Sequence, residues 1–174
     1  MLFRSKAIDA RPDITRALYE NGQLLGNHSY HHDQWRWLDP SYPELDRTQD
    51  AFARQLGGDA CPVWFRPPHG QRTPMMARVV HHNGMRMAMW DDSVPDWSMT
   101  DPQKIANDVL AKVHDGSIID LHDGLDGKPW VDRSQVVKAL PLILDGLRAR
   151  HLKPVRLDEL LGGPAYQSCA KFQS

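Results

Sequence analysis

Two histidines, His28 and His32, stand four residues apart in the stretch Leu25-Gly26-Asn27-His28-Ser29-Tyr30-His31-His32-Asp33. On a turn of helix, positions i and i+4 share a face, so both imidazoles could reach one ion. Neutral imidazole suits zinc and other borderline divalent metals. The bland alternative is a histidine-rich surface turn. What favours the metal is the run Gln23-Leu24-Leu25-Gly26 before it, which reads as a short buried strand and so places the histidines at a strand's C-terminal end, where α/β proteins build their sites. Three more chemistry-bearing groups follow strand-like runs. Arg66, in Phe65-Arg66-Pro67-Pro68-His69-Gly70, is a permanent cation suited to hold a carboxylate. Asp91, Asp92 and Asp96 lie in Trp90-Asp91-Asp92-Ser93-Val94-Pro95-Asp96-Trp97, and His122 closes Ser117-Ile118-Ile119-Asp120-Leu121-His122. Each has a structural reading as loop cap or satisfied core residue; four at four strand ends point to one site.

The elements that must position them alternate. A helix runs from Arg11-Pro12-Asp13 to Glu20 and closes at Asn21-Gly22. The strand ending at Gly26 follows, then a helix from Tyr42-Pro43-Glu44 that Gly57-Gly58 ends, and a strand over Val63-Trp64-Phe65-Arg66. Thr73-Pro74 caps a helix to His82, Met85 to Trp90 is an apolar strand, and Thr100-Asp101-Pro102 caps a helix to His114. After the strand at 117–122, Asp132-Arg133-Ser134 opens a helix to His151 with Val136, Val137, Leu140, Ile143, Leu144 and Leu147 at helical spacing. Met1-Leu2-Phe3 and Lys153 to Arg156 complete about six strands. Strands separated by helices imply a parallel sheet and a barrel-like α/β domain.

Composition narrows the function. A length of 174 residues suits one domain with a proper core. With 21 basic and 22 acidic residues and a formal net charge of -1, nothing argues for nucleic acid or an anionic membrane surface. No apolar run approaches the ~20 residues of a membrane span. Cys61 and Cys169 show no metal-ligand spacing.

Taken together, the motifs resemble the NodB-type polysaccharide deacetylases, carbohydrate esterases that remove acetyl groups from chitin oligomers, peptidoglycan or xylan. His28-Ser29-Tyr30-His31-His32 matches that family's H-[ST]-x-x-H, Arg66-Pro67-Pro68-His69-Gly70 its R-x-P-x-G, Asp96-Trp97 the end of its fourth motif, and Asp120-Leu121-His122 part of its L-x-H. The resemblance implies a distorted (β/α) barrel over residues 1–161, with 162–174 expected as a disordered tail. It implies a divalent metal, zinc foremost with cobalt or others possible, held by His28 and His32. It makes His122 the general acid, paired with Asp96, and Arg66 the partner of a base carboxylate. It assigns substrate contacts to His69, Trp97 and Leu121. The partner would be an acetylated carbohydrate polymer or oligomer, acting outside the cytoplasm or in the cell envelope as family members on wall polymers do.

Three departures qualify this. The family opens with a strand ending T-F-D-D-G, which supplies the base and a third metal ligand; no such run occurs here. The expectation is therefore a barrel lacking its first strand and a fragment of impaired activity, or alternatively a non-catalytic carbohydrate- or metal-binding relative. Ser93 stands where the fourth motif has its first acid, unless Asp92 takes that part. Asp120 replaces the usual leucine of L-x-H, facing the same way as His122 by strand alternation.

Overall fold

The computed structural model describes residues 2–3, 5–33, 35–125 and 131–172. They form two compact units, one from residues 1–89 with 156–174 and one from residues 90–155.

The first unit is built on a parallel sheet. Its strands β1 (Leu2–Phe3), β2 (Gly26–Asn27), β4 (Trp64–Phe65) and β5 (Arg86–Met87) lie in the order β1-β2-β4-β5. Asn27 pairs with Phe65, and Phe65 with Met87. Between the strands run α1 (Ser5–Ala10), α2 (Pro12–Glu20), α3 (Pro43–Leu56) and α4 (Pro74–His82). The strands are short apolar runs because the sheet is covered: Leu25, Trp64 and Phe65 are all buried. Helix ends obey local chemistry. Thr73 caps α4 by accepting a hydrogen bond from the Met76 N–H at 3.1 Å, and Gly57 ends α3 at φ 98°.

The segment expected as a disordered tail is ordered through Phe172. After α7 (Leu157–Leu161), β8 (Tyr166–Gln167) pairs antiparallel with β3 (Cys61–Pro62), and a disulfide joins Cys61 to Cys169. Cys169 and Phe172 are buried in the same apolar cluster as Leu45, Phe65 and Met76. Local sequence does not reveal this, because the two cysteines that anchor the segment are 108 positions apart. The strand expected at 153–156 is absent; those residues are irregular.

The second unit holds β6 (Asp92–Ser93) parallel to β7 (Ile119–Asp120), with α5 (Pro102–Lys112) and α6 (Ser134–Ala149) packed together. Asp101 caps α5, its side chain accepting from the Gln103 N–H. On α6 the buried side chains are Val136, Ala139, Ile143 and Leu147. Val137, Leu140 and Leu144, expected on the same stripe, are exposed, Val137 at 65%. A helical stripe is about 100° wide, so 136 and 137 cannot both face one neighbour. Gly146 lets α6 approach α5 closely, since a Cβ there would meet the Leu110 side chain, which would have to shift.

Candidate active site

The loop after β2 carries the first group. It is not the turn of helix that the four-residue spacing suggested. Ser29 and His32 have φ of 64° and 56°, in the left-handed region. Two side chains set that path. Asn27, buried, donates to the Leu45 carbonyl and accepts from the Ser29 N–H at 3.1 Å. Ser29 Oγ in turn accepts from the His32 N–H at 3.0 Å. These are turns in which a short polar side chain replaces a backbone partner.

The result brings His28 Nε2 and His32 Nε2 to 3.1 Å. His28 Nδ1 lies 2.7 Å from the Arg66 carbonyl oxygen. A carbonyl only accepts, so the proton is on Nδ1 and the Nε2 lone pair points toward His32. At this distance His32 Nε2–H can donate to His28 Nε2, or a cation can take that proton's place between two bare nitrogens. The spacing is compatible with two bonds of ~2.0–2.1 Å to one zinc-sized ion. The pair therefore fits a divalent metal, supplying two positions. Among the described residues no group of three histidine, cysteine or acidic side chains could hold an ion.

The neighbours are fixed by other partners. His31 turns to Glu44, with its backbone N–H 2.8 Å and Nδ1 3.0 Å from the carboxylate. Glu44, 1% exposed in the first turn of α3, also receives Arg36 at 3.2 Å. Sequence reasoning passed over Glu44 as a helix starter. Asp33 accepts from the Trp35 N–H at 2.8 Å, capping the loop. Arg66 extends the sheet through its N–H to the Asn27 carbonyl at 2.9 Å, and its Nε lies 3.4 Å from the Ala88 carbonyl. Its clearest geometric contribution is the main-chain carbonyl that orients His28. His69, in the left-handed region at φ 55°, sets its ring 4.6 Å from that of His32.

The second unit carries the other group. His122 Nδ1 is 2.8 Å from Asp96 Oδ1, and the His122 N–H donates to Asp96 Oδ2 at 3.0 Å. Asp96 is fully buried, and its charge is met by Arg133, whose Nη2 lies 2.5 Å from Oδ2. Arg133 also donates from Nε and Nη2 to the His122 carbonyl at 3.2 and 3.1 Å. It thus ties Asp96 and His122 into one assembly. Nothing in the sequence flagged it, because it sits at the start of α6 as an ordinary helix-opening residue. The hydrogen bond that His122 donates to Asp96, outweighing burial, raises the His122 pKa above the ordinary imidazole value; Asp96 and Asp120 charges add to this and Arg133 opposes it.

The remaining expectations divide. Trp97, 48% exposed, stands edge-on to the His122 ring at 5.0 Å. Leu121, expected at the substrate, is half-buried and packs one side against the apolar cluster of Ile105, Val109, Ile143 and Leu147. Asp91 caps the turn before β7, accepting from Ile118 N–H and Ser117 Oγ, and these bonds lower its pKa. Asp92 is 1% exposed, and neither oxygen has a hydrogen-bond partner among the described residues. Burial raises its pKa.

Comparison with known structures defines the class. The chain superposes on a family 4 carbohydrate esterase from Streptomyces lividans, determined in complex with acetate, with a TM-score of 0.78 at 25% identity over 96% of this chain and 81% of that one. The fold is thus that of the NodB-type deacetylases, a mixed α/β architecture of the distorted-barrel type. The polysaccharide deacetylase family model matches residues 2–88, and the chain belongs to that family. Among curated relatives, it is 28% identical over 147 residues to a chitooligosaccharide deacetylase of Azorhizobium caulinodans, covering 80% of this chain and 70% of that protein. It is 32% identical over 139 residues to a bifunctional xylanase/xylan deacetylase of Cellvibrio japonicus, covering 78% of this chain but 19% of the relative. Among the described residues no helix is long and apolar enough to cross a membrane.

Proposed function

We propose that this chain carries the histidine pair and the acid of a metal-dependent hydrolase that removes acetyl groups from an acetylated polysaccharide or sugar. The observation that carries the reading is the His28–His32 pair, Nε2 to Nε2 at 3.1 Å, with His28 oriented by a main-chain carbonyl. His28 and His32 would hold a divalent ion, zinc foremost, which when bound lowers the pKa of a coordinated water and polarises an acyl oxygen. His122 acts as general acid, delivering its proton to the leaving amine or alcohol. Asp96 keeps that imidazole protonated and oriented, and Arg133 pairs with the buried Asp96 carboxylate. The family resemblance gives the His69 N–H a role toward the developing oxyanion, and Trp97 one in stacking on a sugar ring.

The sequence contains no T-F-D-D-G run, so the base carboxylate and a third metal ligand have no residue assigned to them. Turnover by these 174 residues alone is therefore impaired. The second reading, a non-catalytic carbohydrate- or metal-binding relative, is favoured by one observation, that no group of three ligands exists among the described residues. The Cys61–Cys169 disulfide supports an oxidising, extracytoplasmic setting.

The test is acetate release from an acetylated chito-oligomer and from peptidoglycan, with zinc or cobalt supplied, for the chain and for His122→Ala. Slow release that needs both metal and His122 supports the hydrolase. Zinc binding with no release supports the binding relative. Release indifferent to metal and to His122 overturns both.

A further inference from the structure

The imidazole of His122 lies between two carboxylates, and only one of them has a role so far. Asp96 holds Nδ1 at 2.8 Å. On the opposite edge, Asp120 Oδ2 lies 3.8 Å from Nε2. Asp120 is 8% exposed, at the end of β7, where its register partner is Ser93 on β6. Asp120 ends β7 and His122 follows two residues on, in the loop that the Asp96 and Arg133 bonds to His122 hold in place. At 3.8 Å the pair is an ion-pair contact rather than a hydrogen bond, and its strength is Coulombic. The shielding of Asp120 from solvent keeps that interaction from being screened as a surface pair would be.

We propose that Asp120 is a positioning residue for His122, a second carboxylate that draws the Nε2 proton and holds the ring as an imidazolium between two anions. Among the described residues, the charged groups acting on the ring are Asp96, Asp120 and Arg133. Arg133 bonds to Asp96 and to the His122 carbonyl, so it tempers the anion at Nδ1 and leaves the Nε2 side to Asp120. The Nε2 proton is the one a general acid would deliver in the proposed reaction. Under that reading, Asp120 widens the pH range over which the acid is loaded and makes its proton harder to release. The inference about the ring's charge rests on the geometry alone; only this consequence rests on the deacetylase reading.

The experiment is a pH titration of His122 in the full chain by NMR, its ring signals assigned by comparison with His122→Gln. In Asp120→Asn the His122 midpoint falls relative to the parent, because an anion that favours the imidazolium is gone. A midpoint unchanged or higher in a folded Asp120→Asn overturns the proposal. The parent gives a second measurement that needs no variant at position 120. Its ring 15N spectrum, followed into the acidic range, shows a further shift at Nε2 as Asp120 takes up its proton. A flat Nε2 response there overturns the proposal equally. Neither readout depends on acetate release, so failure of the hydrolase reading is separately visible.

Discussion

His28 Nε2 and His32 Nε2 stand 3.1 Å apart, and the Arg66 carbonyl behind His28 fixes which of its nitrogens bears the proton. The arrangement predicts zinc binding that needs both rings. Isothermal titration of the chain with zinc, and of His28→Ala and His32→Ala, should show affinity falling by about tenfold or more in each variant. Equal affinity in all three would show that the ion binds elsewhere.

Removing Arg133 should cost more than an ordinary surface arginine. Arg133→Ala leaves the Asp96 carboxylate buried beside a single cationic partner, and breaking a buried pair typically costs about 3–5 kcal/mol. Arg133→Lys should restore only part of this, since one ammonium cannot serve both Asp96 and the His122 carbonyl as the guanidinium fork does. Equilibrium urea unfolding measures both, and a loss below about 1 kcal/mol for Arg133→Ala would contradict the assignment.

The raised pKa of His122 has a definite sign in stability. The folded state binds the proton more tightly than the unfolded chain, whose imidazole titrates near ~6.5. The stabilisation is complete below that value and is lost as pH rises through the higher folded one. The melting temperature of the parent should fall across this window relative to His122→Gln, and parallel profiles would exclude the effect.

Asp92 gives the same sign with pH, from a group whose burial costs the fold stability once it ionises. Its carboxyl is buried without a partner among the described residues, and burial raises its pKa. The folded state keeps a proton that the unfolded chain has released, so stability declines as pH climbs from the ordinary carboxylate range through the folded value. Asp92→Val, which suits a strand and removes two unpartnered oxygens, should stabilise the chain by about 1–3 kcal/mol at neutral pH. The gain should shrink in acid; a destabilised Asp92→Val would reveal a partner for this group.

The disulfide ties the C-terminal segment to β3. Replacing both Cys61 and Cys169 by alanine should lower stability by roughly 2–5 kcal/mol, since the bond closes a span of 108 residues in the unfolded chain. Thermal melts of this variant, and of the parent with and without reductant, measure the effect. Indistinguishable melts would mean that packing of Cys169 and Phe172 holds the segment unaided.

Residue types and local spacing already contained much of this protein. The histidine pair, Arg66, Asp96-Trp97 and His122 could be picked out because each sits just after a short apolar run, and the helix starts at Thr73 and Asp101 could be read because a cap acts within three residues of itself. What the sequence could not determine depends on groups far apart along the chain. The histidines converge through a loop bent by Asn27 and Ser29, not through a helical turn, and periodicity does not encode such side-chain bonds. Glu44 reaches His31 across 13 positions and Arg133 reaches Asp96 across 37. Cys169 meets Cys61 only because β8 pairs with β3. On α6 the apolar spacing left two faces open, and contact with α5 decided which residues went inward. Caps and periods are set by neighbours in sequence; partners for buried charges are chosen by packing, which exists only once the chain has folded.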